Sequence, residues 1–140
     1  MEASDGSKVR LDKRFNWVGP PNRLSKIRPI KLKVPENETE LERSYTKSRE
    51  QLNEWNSKFW ETHNLHFEER RNDFIKKRRK EIGKLNDVTS SDMSIFYKKF
   101  LNQEYLNLKQ YNQTWYIKNL QLIWPALKVN VIRFGRFFRK

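Results

Sequence analysis

The sequence predicts an all-α protein of three helices in an irregular antiparallel bundle, with a Pro-rich extended N-terminal arm and a basic amphipathic C-terminal tail. Three observations carry this. Apolar residues recur at helical spacing from Leu41 to Phe59 and again from Tyr97 to Trp115. Helix formers dominate between residues 37 and 124, and no stretch alternates apolar and polar residues as a half-buried strand does. With 140 residues there is room for one small domain.

Residues 1–16 are polar without a repeated apolar period, which predicts disorder. Glu2, Asp5 and Asp12 set this segment apart from the acid-poor composition of a mitochondrial presequence. From 17 to 36 the chain holds Pro20, Pro21, Pro29 and Pro35 together with Gly19. Proline removes a backbone donor and biases the preceding residue towards extended backbone. This segment is therefore an extended arm, with Ile27, Ile30, Leu32 and Val34 available to lie along a neighbour.

The helical domain spans 37–124. Asn37, with Glu40 three residues on, has the form of a capping box. Leu41, Tyr45, Ser48, Leu52, Trp55 and Phe59 then step by 4, 3, 4, 3 and 4, a coiled-coil-like seam that predicts a helix over 38–61. Thr62 to Leu65 reads as a turn, with Asn64 capping a second helix over 65–82 whose apolar face is Phe67, Phe74, Ile75 and Ile82. Gly83 stands in the favoured place just past its last turn. After a loop at 84–90, a third helix over 91–124 presents Tyr97, Leu101, Tyr105, Leu108, Tyr111 and Trp115, widened by Met93, Phe96 and Phe100. Pro125 has no amide for the helical ladder and is expected to kink or end it.

The tail, 125–140, continues a stripe through Leu120, Trp124, Leu127, Val131, Phe134 and Phe138. Lys128, Arg133, Arg136, Arg139 and Lys140 lie off that stripe. An aromatic-aliphatic face beside a basic one is the pattern of a helix lying in a membrane interface. Those five bases, with Trp124, Phe134, Phe137 and Phe138, are the membrane-surface candidates. A loose basic tail is the alternative, because Pro125 and Gly135 weaken a helix.

Charge narrows the partners without choosing among them. Lys and Arg number 30 against 17 acids, a net charge of +13 that favours anionic lipid, nucleic acid or an acidic protein face. The excess is concentrated at 20–35 and 125–140, each with five bases and no acid, whereas 36–62 carries four bases against seven acids. The acidic first helix and the lack of any recognisable RNA-binding motif argue against nucleic acid. Without cysteine there is no disulfide framework, thiolate metal site or thiol catalysis. No transmembrane span is expected, since the most apolar window, Asn119 to Leu127, falls well short of the roughly 20 residues that crossing requires.

Little in the chain suggests catalysis. His63 and His66 have the spacing of a helical metal pair, but no third ligand is marked, and two polar residues at a turn are the plainer reading. Glu68 and Glu69 are adjacent and so point to different helix faces. The basic run 76–80 is read as a solvated face before a nucleic-acid patch. No glycine-rich phosphate loop or nucleophile–base constellation stands out, so the expectation is a protein that is not an enzyme, with no catalytic residue, cofactor or metal. Trp60 and Tyr116 flank seam residues, and a large ring off the core-facing stripe suits a partner anchor. With Asn112 they are the partner-binding candidates, the alternative being that both rings widen the core.

Several strings together carry a family resemblance. Val18-Gly19-Pro20-Pro21, Ser25 and Arg28-Pro29-Ile30 are followed by Pro35-Glu36-Asn37-Glu38, Glu54-Trp55-Asn56 and Phe59-Trp60. Asn64-Leu65 and Phe67 come next, then Phe96-Tyr97-Lys98, Phe100-Leu101, Tyr111-Asn112 and Trp115-Tyr116. In this order, over roughly 17–120, the chain resembles the cytochrome c oxidase assembly factor 8 family, also called the mitochondrial apoptogenic proteins. The resemblance implies a peripheral protein at the matrix side of the mitochondrial inner membrane. It further implies support of respiratory complex IV assembly and stability through binding of its subunits or assembly intermediates, protection under oxidative stress, and an association with apoptosis. An RNA- or ribosome-associated basic mitochondrial protein is the alternative, and a metal or haem binder through His63 and His66 a third reading.

Overall fold

Two capping boxes and one glycine divide the helical part of the chain. Thr39 accepts a hydrogen bond from the Glu42 amide while the Glu42 carboxylate accepts one from the Thr39 amide, and Thr89 and Asp92 repeat the device. Between them Gly83 adopts φ 86°, a left-handed backbone that favours glycine, and stops the first helix. In the computed structural model, which describes residues 11–83 and 86–139, this gives two long helices, α1 (Glu40–Ile82) and α2 (Ser90–Phe138). At 1.5 Å per residue they run about 64 and 73 Å.

The three-helix expectation is corrected in two places. The turn at Thr62–Leu65 does not form, and α1 passes through it unbroken. The polar residues there cost only tenths of a kcal/mol each in helix propensity, and they gain tertiary partners. Asn64 Nδ2 donates to the Leu24 carbonyl at 2.7 Å, and His63 meets the Phe100 ring of α2 at 5.6 Å. The α1 cap is Thr39, not Asn37. Pro125 does not end α2, which continues to Phe138 and includes most of the tail. An interior proline costs about 3 kcal/mol. Beyond it, fully buried Val129 and the contacts of Arg136 with α1 hold the segment in place.

The helices pair antiparallel, as successive contacts show. Arg78 reaches Asp92 near the connection, Phe67 packs on Phe96 and Phe100, Trp60 meets Tyr111, and Glu42 meets Arg136 at the far end. The inward face of α2 is Phe96, Phe100, Tyr111 and Val129, all buried. Of the expected seam, Tyr111 is buried and Leu108 and Trp115 are half-buried, whereas Tyr97, Leu101 and Tyr105 are exposed, one position round the helix from buried Phe96 and Phe100.

The arm is extended, with two short strands in it. β1 (Trp17–Val18) and β2 (Ile30–Lys31) pair antiparallel, Trp17 opposite Lys31 and Val18 opposite Ile30. A Cβ on Gly19 would lie 2.7 Å from the Pro29 ring and closer still to the Trp17 ring, so only glycine lets the two approach. The arm runs antiparallel along α1, with Ser25 Oγ sharing a hydrogen bond with Ser57, Asn53 donating to the Arg28 carbonyl, and Glu50 accepting from the Leu32 amide. Residues 11–16 join it, since Asn16 accepts from the Lys33 amide and Lys13 from the Val34 amide. Residues 1–10, the rest of the segment expected to be disordered, lie outside the described residues.

Candidate partner-binding and membrane-facing surfaces

Tyr111 ties the two helices by polar as well as apolar contact. Its ring stacks on Phe59 at 4.1 Å and on Trp55 at 5.3 Å. A buried hydroxyl must find partners, and this one donates to Asn56 Oδ1 and accepts from Trp60 Nε1 at 3.0 Å. Trp60 is thus half-buried in the hairpin, edge-on to Phe59 and His63. Asn112 and Tyr116 lie on the solvent side of α2, Tyr116 being 62% exposed and in edge contact with Trp115. The structure therefore separates the three partner-binding candidates, one between the helices and two outside.

Beside this cluster a groove of about 500 Å³ opens between the helices, lined among others by Trp55, His63, His66 and Glu104. His66 Nε2 lies 3.3 Å from Glu104 Oε1. Burial lowers the His63 pKa, Glu104 opposes that shift, and nearby His66 adds to it. His63 stacks at 5.9 Å on Phe59, which gives it an ordinary packing role. Among the described residues no group of three or more metal-ligating side chains is placed to hold an ion.

At the open end of the hairpin, Glu42 is fully buried. Arg136 donates to both its oxygens, at 2.8 and 2.9 Å, and to the Asn37 carbonyl at 2.7 Å. These hydrogen bonds hold the Glu42 carboxyl down at about 2, against a desolvation that would raise it. Arg133 lies nearby, its Nε 3.8 Å from Glu42. Two of the five bases assigned to the membrane face thus turn towards α1, while Lys128 and Arg139 are exposed and Lys140 lies outside the described residues. Lys128 Nζ sits 5.2 Å from the Trp124 ring.

The apolar tail residues are placed differently. Trp124, Phe134, Phe137 and Phe138 are all exposed, as are Leu120, Leu127 and Val131 between them. Of the nineteen large apolar residues exposed among those described, fifteen are on α2, far more than a lone soluble surface usually presents in one strip. Of the basic run at 76–80, Arg78 pairs with Asp92 and Glu81, and the other four are exposed. Sequence reasoning missed Glu42, Asn53 and Ser57 as docking residues. Each is a polar residue in a polar helix, with no local signal beyond the capping pattern at Glu42.

These features define an arm-braced helical hairpin that leaves one long apolar face uncovered. Residues 15–135 match the family model described as cytochrome c oxidase assembly factor 8, and the chain belongs to that family. A Caenorhabditis elegans protein named as a mitochondrial COA8 family protein is 51% identical over 138 residues, covering 99% of this chain and 97% of its own. A Caenorhabditis briggsae protein of the same description matches to the same extent. The human protein named cytochrome c oxidase assembly factor 8 is 34% identical over 132 residues, covering 81% of this chain and 64% of its own. No solved structure matches.

Proposed function

We propose that this chain is a mitochondrial, non-enzymatic factor that supports the assembly and stability of cytochrome c oxidase, respiratory complex IV, by occupying a surface of its subunits or assembly intermediates. The observation that carries this reading is family membership across residues 15–135, with relatives whose names state that assembly role. The uncovered apolar face of α2 supports stoichiometric binding, because it is a surface in search of a cover and not a reaction centre. The protein works at the matrix side of the inner membrane as a peripheral protein. No described helix is long and apolar enough to cross a membrane, and the tail stripe with Lys128 and Arg139 suits contact with anionic lipid. It protects the oxidase under oxidative stress, and a link to apoptosis belongs to the same reading; both rest on the family resemblance.

The test is loss of the protein. Fully assembled complex IV is expected to fall, more steeply under peroxide, while other respiratory complexes stay closer to normal on native gels. Normal complex IV in such cells, with and without oxidant, overturns the reading.

A further inference from the structure

Where the arm meets the tail, a pocket of about 480 Å³ has Arg14, Lys33, Arg133 and Arg136 on its walls, with Glu36 and Phe137. Its cations are not equivalent. Arg14 is held by Asp12 at 2.7 Å, and Arg136 is committed to Glu42 and the Asn37 carbonyl. Arg133 keeps its Nε buried with no hydrogen-bond partner, since 3.8 Å to Glu42 is too long for one. The side chain nonetheless keeps 38% of its surface exposed and lines the pocket. Lys33 is exposed and makes no ion pair among the described residues, unlike Lys31, which pairs with Glu50. Lys33, unpaired, and Arg133, only loosely held by Glu42 at 3.8 Å, set against the one acid Glu36, suit a singly charged anion better than a doubly charged one.

The wall beside them is apolar. Phe137 is 74% exposed, and Phe134 and Phe138 next to it are 64% and 68% exposed. A small soluble anion has no use for that rim, whereas a lipid has both a charged head and a chain to place there.

We infer that this pocket binds the phosphodiester of an anionic phospholipid headgroup, gripped by Lys33 and Arg133, with Phe137 and its neighbours set among the acyl chains. The inference rests on the peripheral-membrane part of the proposed function and gives that contact a defined site. Lys33 comes from the arm and Arg133 from α2, so lipid binding also holds the arm against the tail.

The experiment is flotation of the full chain with phosphatidylcholine vesicles, plain or doped with phosphatidylglycerol or with oleate at equal charge. Binding is expected on phosphatidylglycerol, with weaker binding on oleate and on plain vesicles. Each base near an anionic surface contributes around 1 kcal/mol, so Lys33→Gln is expected to weaken binding roughly fivefold and the Lys33→Gln/Arg133→Gln pair roughly 30-fold. The pair Lys76→Gln/Lys77→Gln removes equal charge from an exposed stretch of α1 and is expected to change little. Circular dichroism checks folding, and Lys33→Gln alone carries the test if the Arg133 variant unfolds. Equal losses from both pairs, or undiminished binding of Lys33→Gln, overturn the pocket but leave the membrane reading standing. Equal binding to oleate overturns phosphate recognition. Calorimetric binding of inorganic phosphate as tight as that of the vesicles makes free phosphate the ligand and overturns the lipid. If the parent floats with no vesicle, the membrane reading fails together with the pocket.

Discussion

Glu42 stays ionised although fully buried, because Arg136 and the Thr39 amide meet its two oxygens. A depressed carboxylate pKa contributes stability that is complete above the unfolded value and is lost as pH falls through the folded one. With the carboxyl at about 2 in place of 4.5, the contribution is on the order of 3 kcal/mol at neutral pH and disappears between about pH 4.5 and pH 2. Glu42→Gln is therefore expected to lower thermal stability at pH 7 by about 2–3 kcal/mol, somewhat less than a wholly buried pair because Arg136 keeps part of its side chain in water. The difference from the parent should shrink to nothing as melting is followed down to pH 2, and a constant difference across that range would refute the assignment. None of this was legible at Glu42 itself. Its partner lies 94 residues away, and acids in the first turn of a helix have a sufficient local explanation in the macrodipole. Gly19 is similar, since its need for a bare backbone appears only once Trp17 and Pro29 close over it.

The helices were legible as helices, and the end at Gly83 and the start near Ser90 could be read directly from backbone chemistry. Their continuity was not. Propensity at Thr62–Leu65 and at Pro125 argued for breaks, and tertiary contacts outweighed it at both places. The face of α2 was read correctly from Leu108 to Trp115 and misjudged only in its first turns, for a different reason. Phe96 and Phe100 alternate with Tyr97 and Leu101 as adjacent apolar rows, and periodicity alone cannot say which row turns inward. That distinction now separates two rings first grouped as anchors. Trp60→Ala removes a ring and an indole donor from within the hairpin and is expected to cost about 3 kcal/mol, whereas Trp60→Phe, which keeps most of the ring area, should cost about 1 kcal/mol. Tyr116→Ala, on the solvent side, should stay within about 0.5 kcal/mol of the parent. Denaturant melts of the three variants decide the matter. If the Tyr116 variant melts as early as the Trp60 one, Tyr116 is part of the packing and has no claim as an anchor.

A bundle of three helices could have buried both apolar rows of α2, but a two-helix hairpin covers only one side of it. The unmatched row from Leu120 to Phe138 was visible in the sequence, and its exposure follows from the hairpin topology. Visible too was the excess of base in the tail, though not that Arg133 and Arg136 would turn towards α1. This alters how the surface must be tested. Removing residues 126–140 would delete Val129 and Arg136 along with the stripe, so loss of function would report loss of packing. Val131→Ser with Phe134→Ser leaves those contacts alone, since both residues are exposed at 64%. Their exposure predicts a change in stability within about 0.5 kcal/mol per site. If the outer face of α2 is the working surface, the double variant is imported and folded, shifts from the membrane to the soluble fraction, and restores less complex IV than the parent in cells lacking the protein. Should it remain on the membrane and restore the oxidase fully, the stripe is not that surface. Should it instead melt several kcal/mol earlier, the two side chains belong to a core that the hairpin completes with another chain.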